Sequence, residues 1–432
     1  MFRFDFEIDE DDLSDPGLGV QEGIATLKAT PQVTQIAQAE SAEKQRVEEP
    51  YRAHAVDELL ATLPPEISFS PLSIPLASTF DDSEQRLSAN RPSQVVNIAR
   101  RDLFDARFQL ISLEDHDSDA SPSTSGLGVK PDTALEFIDA PSDLVPGMYE
   151  GGLKTWECAL DLVGCLHRIF EKETERRLKG KKILELGCGT AVPSLYILSH
   201  LFSSEPSQDS EESSDMHIHL QDYNPLVLRL VTMPNVLLAW YMSPASQTFR
   251  DSAASASSAD SDTFPPADPS TPGTLSITPA LKDAFLASLR AHRVRLRLLS
   301  GSWATLDLSG APYDVVLTSE TIYRPESLPA LIKTLRDACL GEAGLEDAAA
   351  RMSFSSAEPK QGDGGGGGEE NPPHLCLVAA KRVYFGVGGG VSEFVNAVEG
   401  PDANADRVGS VQTVWEHTGG VKRIVMQVKW VV

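Results

Sequence analysis

The 432-residue chain carries 37 Lys plus Arg against 63 Asp plus Glu, a formal charge of −26. That balance argues against nucleic acid and anionic membrane surfaces as direct partners; the excess acid either attracts a basic protein substrate or solvates polar tails. Long stretches rich in Ser, Asp, Pro and Gly bury too little apolar surface to fold, so one folded domain is expected.

Residues 1–143 are expected to be a mostly disordered acidic and polar region. The alternating Phe2, Phe4 and Phe6 either add a strand to a partner or to the domain, or fray. The stretch at 94–112 is apolar enough to dock on the folded part. A folded domain is expected over 144–432. Residues 156–178 place Leu160, Val163, Leu166, Ile169 and Phe170 at helical spacing. A strand at 181–186 follows, then a helix to about residue 201, a strand at 216–221 and a helix from Pro225 to Tyr241. Strands at 292–299 and 313–319, a helix at 326–340, a buried strand in HLCLVAAKRV and a helix from near Val391 complete the alternation. Strands that alternate with helices imply crossovers and a parallel sheet. Two alternating strands around Thr418, Gly419 and Gly420 read as a closing antiparallel hairpin.

Low-complexity inserts at about 203–215, 243–279 and 341–373 fall between these elements and are expected to be loops. Their closure costs only about 0.6 kcal/mol per doubling of length. The five cysteines, at 158, 165, 188, 339 and 376, form no CxxC pair and have no His at ligand spacing. Neither a metal site nor a disulfide framework is indicated, and the thiols are read as reduced. The N-terminus lacks a basic start followed by an apolar run, and no stretch reaches the length of a membrane span; the expected location is cytoplasm and nucleus.

The string KILELGCGTA, ending at Ala191, reads as a strand, a tight glycine turn at Gly187 and Gly189, and a helix start. Such a turn brings backbone N–H groups to a ligand, where a Cβ would block the approach. Glu185 at the strand end would repel phosphate and accept hydrogen bonds from an ammonium group, so S-adenosylmethionine is preferred over a dinucleotide. GCGTAVP also lacks the third glycine of a dinucleotide fingerprint. After the second strand, Asp222 either accepts ribose hydroxyls or caps the next helix, with Gln221 and Tyr223 beside it. In GSW, Trp303 offers a face to adenine or serves as core. LTSETIY brings Ser319, Glu320 and Tyr323 to the carboxyl edge of the sheet, where open α/β sheets bind ligands; Glu320 and Tyr323 are the candidates for contacting a methyl acceptor. Trp156 and Glu157 stand where they could close over the cofactor's methionine part. GVGGG, Gly386 to Gly390, permits close backbone approach, a bending lid, or a plain loop.

Taken in order, GGLKTWEC, ILELGCGTA, LQDYN, the VTMPN helix, GSW, LTSETIY and AKRVYFGVGGG resemble the histidine protein methyltransferase family over about residues 144–430, inserts excepted. The specific parts are LTSETIY and YFGVGGG. The resemblance implies an α/β, Rossmann-like, seven-stranded class I methyltransferase sheet, parallel with a C-terminal antiparallel hairpin. It implies methyl transfer from S-adenosylmethionine to a histidine of a large-subunit ribosomal protein. It implies cofactor contacts from Thr155, Trp156, Glu157, Cys158, Ala159, Gly187, Gln221, Asp222, Tyr223, Gly301, Ser302, Trp303 and Ser319. Ala191 departs from relatives that have a third glycine. Rival readings are a lysine methyltransferase on the same fold and a noncatalytic module that binds ribosomal protein.

Overall fold

The computed structural model describes residues 50–76, 94–106, 109, 152–170, 178–206, 215–256, 264–354, 374–384, 388–400 and 408–431. The Phe2, Phe4 and Phe6 reading lies outside these residues, as do most of the insert at 203–215, the glycine-rich part of the insert at 341–373, and Phe385 to Val387.

The strands in chain order are β1 (Arg52–His54), β2 (Glu66–Leu76), β3 (Gln94–Arg101), β4 (Lys182–Leu186), β5 (Met216–Asp222), β6 (Gly273–Ser276), β7 (Val294–Ser300), β8 (Val315–Ser319), β9 (Leu375–Lys381), β10 (Gly409–His417) and β11 (Arg423–Trp430). The helices are α1 (Val56–Ala61), α2 (Glu157–Phe170), α3 (Val192–Leu201), α4 (Pro225–Tyr241), α5 (Gln247–Ala256), α6 (Pro279–Ala291), α7 (Leu328–Phe354) and α8 (Val391–Glu399). The main sheet has eight strands in the order β1-β7-β5-β4-β8-β9-β11-β10. Strands β7, β5, β4, β8 and β9 run parallel. The hairpin β10–β11 joins antiparallel through β9, and β1 adds antiparallel to β7 on the far edge. The expected seven strands are therefore present, with an eighth supplied by the region expected to be disordered.

Alternation sorts the buried residues of each central strand between two apolar clusters. Ile183 and Leu317 face a cluster with α2, α3, α4 and α6, while Leu184, Leu186 and Val316 face one with α7 and α8. In β9, Leu377 and Ala379 take the first side, and Cys376, Val378 and Ala380 the second. The same parity aims Glu185 and Asp222 towards the α3 and α4 side. The polar faces of the loops after these strands gather at the carboxyl edge.

Three expectations are corrected here, the first being that the insert at 341–373 is loop: α7 continues into it as far as Phe354. The region to residue 143 and the insert at 243–279 both supply ordered structure, because β3, β2 and β6 form a second, antiparallel three-stranded sheet. Ile67, Phe69, Ile74 and Leu76 of β2 and Ile98 and Ala99 of β3 join the first cluster, against α2 and α4. Arg101, 2% exposed, pins this layer: its backbone N–H donates to Asn235 Oδ1 at 2.8 Å and its guanidinium to the Leu230 carbonyl at 2.8 Å. The expectation that 94–112 docks on the domain holds for its described residues.

Helix α4 changes pitch over Leu228–Thr232, a π-type turn just before Pro234. Proline has no N–H to donate and crowds the preceding turn, which a wider turn relieves. The Thr232 hydroxyl, within reach of the Val227 carbonyl at 3.2 Å, donates to the Gly189 carbonyl at 2.7 Å.

Candidate active site

The loops after β4, β5, β7, β8 and β9 meet at one rim of the sheet. Gly187 and Gly189 adopt left-handed conformations, φ 61° and 52°. A Cβ on Gly187 would stand 2.6 Å from Thr321 Cγ2, and one on Gly189 would stand 3.1 Å from the Gly152 carbonyl oxygen. Both glycines are thus required by backbone conformation and by neighbouring segments, besides any ligand. Ala191 follows with φ 58° and is fully buried; a left-handed non-glycine costs roughly 1–2 kcal/mol, so the turn carries some strain.

Asp222 holds this turn to the second strand. Its Oδ2 accepts the Gly189 N–H at 2.9 Å and its Oδ1 the Asn224 N–H at 3.1 Å. A carboxylate at this rim is the type of group that accepts hydrogen bonds from ribose hydroxyls. Gln221 is fully buried and its amide is committed: Oε1 accepts from Gly187 N at 3.2 Å and Trp303 Nε1 at 2.9 Å, while Nε2 donates to the Gly301 carbonyl at 2.9 Å. It is the crosspiece of three loops. The Trp303 ring stands beside Gly187, 3.9 Å from where a Cβ would sit, and Ser302 caps its short turn through Ala304 N. Tyr223 is 39% exposed at the same rim. Gly301, φ 109°, is packed by the Pro50 carbonyl, 2.5 Å from an added Cβ.

Glu185 is not brought to the rim. Strand parity turns it under α3, where it is 2% exposed and accepts from the Ser194 N–H at 3.0 Å and from the Ser194 hydroxyl. Burial raises its pKa to about 8, against the pull of the Ser194 hydrogen bonds. The expected contact with an ammonium group is therefore corrected to a buried structural one. Because the folded chain keeps a proton that the unfolded chain releases near 4.5, this group's contribution to stability falls as pH rises from about 4.5 to about 8 and is flat above. Glu185→Gln is expected to remove that slope, an effect on the order of a few kcal/mol. Denaturant titrations at both ends of the window measure it, and parallel behaviour of the two proteins would reject the account.

A second group of expected residues converges on Lys381, which leaves the end of β9 on the α2 side. Its Nζ lies 3.3 Å from Glu157 Oε2, 3.6 Å from Glu320 Oε1 and 4.4 Å above the Trp156 ring. Glu320 follows Ser319, the half-buried last residue of β8, in a left-handed conformation, φ 57°. Its N–H donates to the Ala379 carbonyl at 2.9 Å. The side chain is 7% exposed. Its Oε2 accepts from the Tyr384 hydroxyl at 2.7 Å, and its buried Oε1 has no hydrogen-bond partner among the described residues. The Lys381 N–H donates in turn to the Tyr384 oxygen at 3.2 Å. Burial and the Glu320 carboxylate push the Cys158 thiol up, and the same two causes push Tyr384 up. Ala159 is buried on α2 beside them. Tyr323 packs at 6.1 Å, ring to ring, against Tyr384.

The described glycines of GVGGG serve this cluster. Gly389 N donates to the Tyr323 carbonyl at 3.1 Å, and a Cβ there would stand 2.4 Å from that oxygen. Gly389→Ala is expected to push the loop off Tyr323 and lower turnover by about 10²-fold through misplacement. S-adenosylhomocysteine affinity should stay within about twofold, which calorimetry checks.

Three residues outside the expected set complete the rim. Thr232 and Asn235 of VTMPN reach the glycine turn, the latter donating to the Thr190 carbonyl at 3.1 Å. Lys381 is the third. Thr232 and Asn235, polar positions in a largely apolar helix, were the available signal.

These residues suit a cofactor with a nucleoside, a sulfonium and an amino acid. Asp222 presents a carboxylate, Trp303 offers an aromatic face, and Glu320 Oε1, without a hydrogen-bond partner among the described residues, lies at the same edge. No family model matches the chain. It is 29% identical to "Histidine protein methyltransferase 1" of Saccharomyces cerevisiae over 306 residues, 69% of this chain and 67% of the relative. It is 27% identical to the protein of the same name in Schizosaccharomyces pombe, covering 74% of each. Among solved structures it is similar to the rRNA methyltransferase aviRa from Streptomyces viridochromogenes, with TM-score 0.28, 15% identity, and 62% and 84% of the two chains covered. The chain thus joins a mostly parallel α/β sheet to a similarity with methyltransferases over two thirds or more of its length. Its named homologues are histidine protein methyltransferases.

Proposed function

We propose that the chain transfers a methyl group from S-adenosylmethionine to an imidazole nitrogen of a histidine in a protein, in particular a large-subunit ribosomal protein. The relatives' names support the acceptor type. The observation that carries the reading is the buried Glu320 Oε1, unpaired by hydrogen bonds at the carboxyl edge while Tyr384 holds Oε2.

When bound, the cofactor supplies an electrophilic methyl carbon on a sulfonium. Neutral imidazole, with an unperturbed pKa of about 6.5, attacks it without prior deprotonation. The protein's work is alignment, which contributes roughly 7–11 kcal/mol in favourable cases. Glu320 Oε1 accepts the N–H of the nitrogen that does not react, so the other lone pair faces the methyl group. Tyr384 fixes the carboxylate, Lys381 balances its charge, and Tyr323 walls the acceptor side. A lysine acceptor would need removal of a proton of pKa about 10.4, and Glu320 is already compensated by Lys381.

The cytoplasm and nucleus are the proposed locations, with no membrane or nucleic-acid partner. Among the described residues no single helix is long and apolar enough to cross a membrane; one bent pair, Pro225–Tyr241 with Pro244–Ser255, reaches the threshold only jointly.

The test incubates the full chain with methyl-labelled S-adenosylmethionine and ribosomal proteins from cells lacking the activity, then maps the label by mass spectrometry. Methylhistidine in a large-subunit protein is the expected product. Methyllysine would move the assignment to the lysine reading, and cofactor binding without any labelled protein would favour a noncatalytic module.

A further inference from the structure

The second sheet delivers a cation to the rim. Arg100 lies on β3, opposite Ser70 of β2, next to the buried Arg101 that fastens this layer to α4. Its Nη1 donates to Thr155 Oγ1 at 3.0 Å, and Thr155 Oγ1 lies 2.9 Å from Thr190 Oγ1, the residue after Gly189. The guanidinium is thus two hydrogen bonds from the glycine turn, through two hydroxyls.

Its partner is a neutral hydroxyl. Among the described residues no carboxylate makes an ion pair with Arg100, although it is half-buried; Asp102 acts on it only at longer range. Lys381, another cation at the rim, is shared between the carboxylates of Glu157 and Glu320. A half-buried guanidinium with five donors, held among the described residues by one hydroxyl, suits a planar carboxylate that it can grip with two parallel hydrogen bonds. Asn235 makes the placement rigid, since one side chain bonds both the Arg101 N–H and the Thr190 carbonyl.

We propose that Arg100, with the Thr155 and Thr190 hydroxyls, binds the carboxylate of the cofactor's methionine moiety, so that the N-terminal sheet completes the cofactor site. This rests on the S-adenosylmethionine reading and goes beyond it in naming the group that recognises the amino-acid end. It also gives the second sheet a function besides covering α2 and α4.

Calorimetry on the full chain tests it with two probes. S-adenosylhomocysteine carries the amino acid, whereas 5′-methylthioadenosine keeps the adenosine thioether and lacks it. Arg100→Gln is expected to weaken S-adenosylhomocysteine by about 10- to 100-fold, the range of a lost charge-assisted pair, and to leave methylthioadenosine within about twofold. Retained methylthioadenosine binding also shows that the variant is folded. Unchanged S-adenosylhomocysteine affinity, or an equal loss for both probes, overturns the proposal. Should the variant not fold, the wild type decides: the uncharged carboxamide of S-adenosylhomocysteine must bind about tenfold or more weaker than the acid, and equal affinity overturns the proposal. Wild-type protein that binds neither probe would instead remove the cofactor reading beneath it.

Discussion

Glu320→Gln is expected to lower histidine methylation by about 10²- to 10³-fold while S-adenosylhomocysteine affinity changes by less than about threefold. The substitution keeps the volume of a side chain that is 7% exposed. It also keeps a carbonyl oxygen that can face either Tyr384 or the acceptor. What it loses is a second acceptor: if the oxygen stays on the Tyr384 hydroxyl, an NH2 group faces the imidazole N–H, donor against donor. The left-handed backbone at φ 57° makes a second variant informative. Glu320→Gly removes the carboxylate while easing the backbone, so it should be at least as stable as Glu320→Gln and no more active. An account in which Glu320 matters only for loop geometry predicts the reverse, with activity preserved in the glycine variant. Tyr384→Phe supplies the intermediate case, since it frees Oε2 without removing the carboxylate. Full-rate methylation by Glu320→Gln would end the orienting role.

The elements that read clearly in the sequence are those whose burial alternates without interruption. The strand over 181–186, the helix from Pro225 to Tyr241 and the closing hairpin all lie within a residue or two of their expected bounds, because each is bounded by a glycine turn or a proline helix start. The second sheet did not read, for a physical reason visible in β2. Its buried residues fall at Ile67 and Phe69 and then at Ile74 and Leu76, so the parity changes within one strand. Pro71 and Pro75 add to the loop-like look. Its third strand, β6, comes from an insert about 200 residues downstream of its partner β2. Proximity of that kind leaves no local trace.

At the site, the sequence carried residue types and the structure supplied their sides. Glu185 and Gln221 were both expected at the ligand, yet Glu185 sits one residue out of phase with Leu186 and so turns under α3. Gln221 is consumed by Gly187, Trp303 and Gly301. Lys381 is the converse case. It looked like the polar end of a buried strand, and only the pairing of β8 with β9 puts it between Glu157 and Glu320.

Asp222→Asn is expected to cost both stability and cofactor affinity, and the two losses separate its structural and binding roles. In the native chain both carboxylate oxygens accept backbone N–H groups, from Gly189 and Asn224. An asparagine can present its oxygen to only one of them; its NH2 must then oppose the other N–H in a site that is 6% exposed. A buried donor left unpaired costs about 1–3 kcal/mol of unfolding free energy, read as a lower denaturant midpoint at unchanged slope. If the carboxylate's remaining acceptor positions take ribose hydroxyls, affinity for S-adenosylhomocysteine should fall by about 10- to 100-fold. The stability loss alone would not produce that, because the folded fraction stays near unity for a domain of ordinary stability. The deciding comparison uses S-adenosylhomocysteine and its 2′-deoxy analogue on both proteins. Wild type should discriminate between them by about tenfold and Asp222→Asn hardly at all; discrimination that survives the substitution places the ribose contact on another residue and leaves Asp222 as the tie between turn and strand.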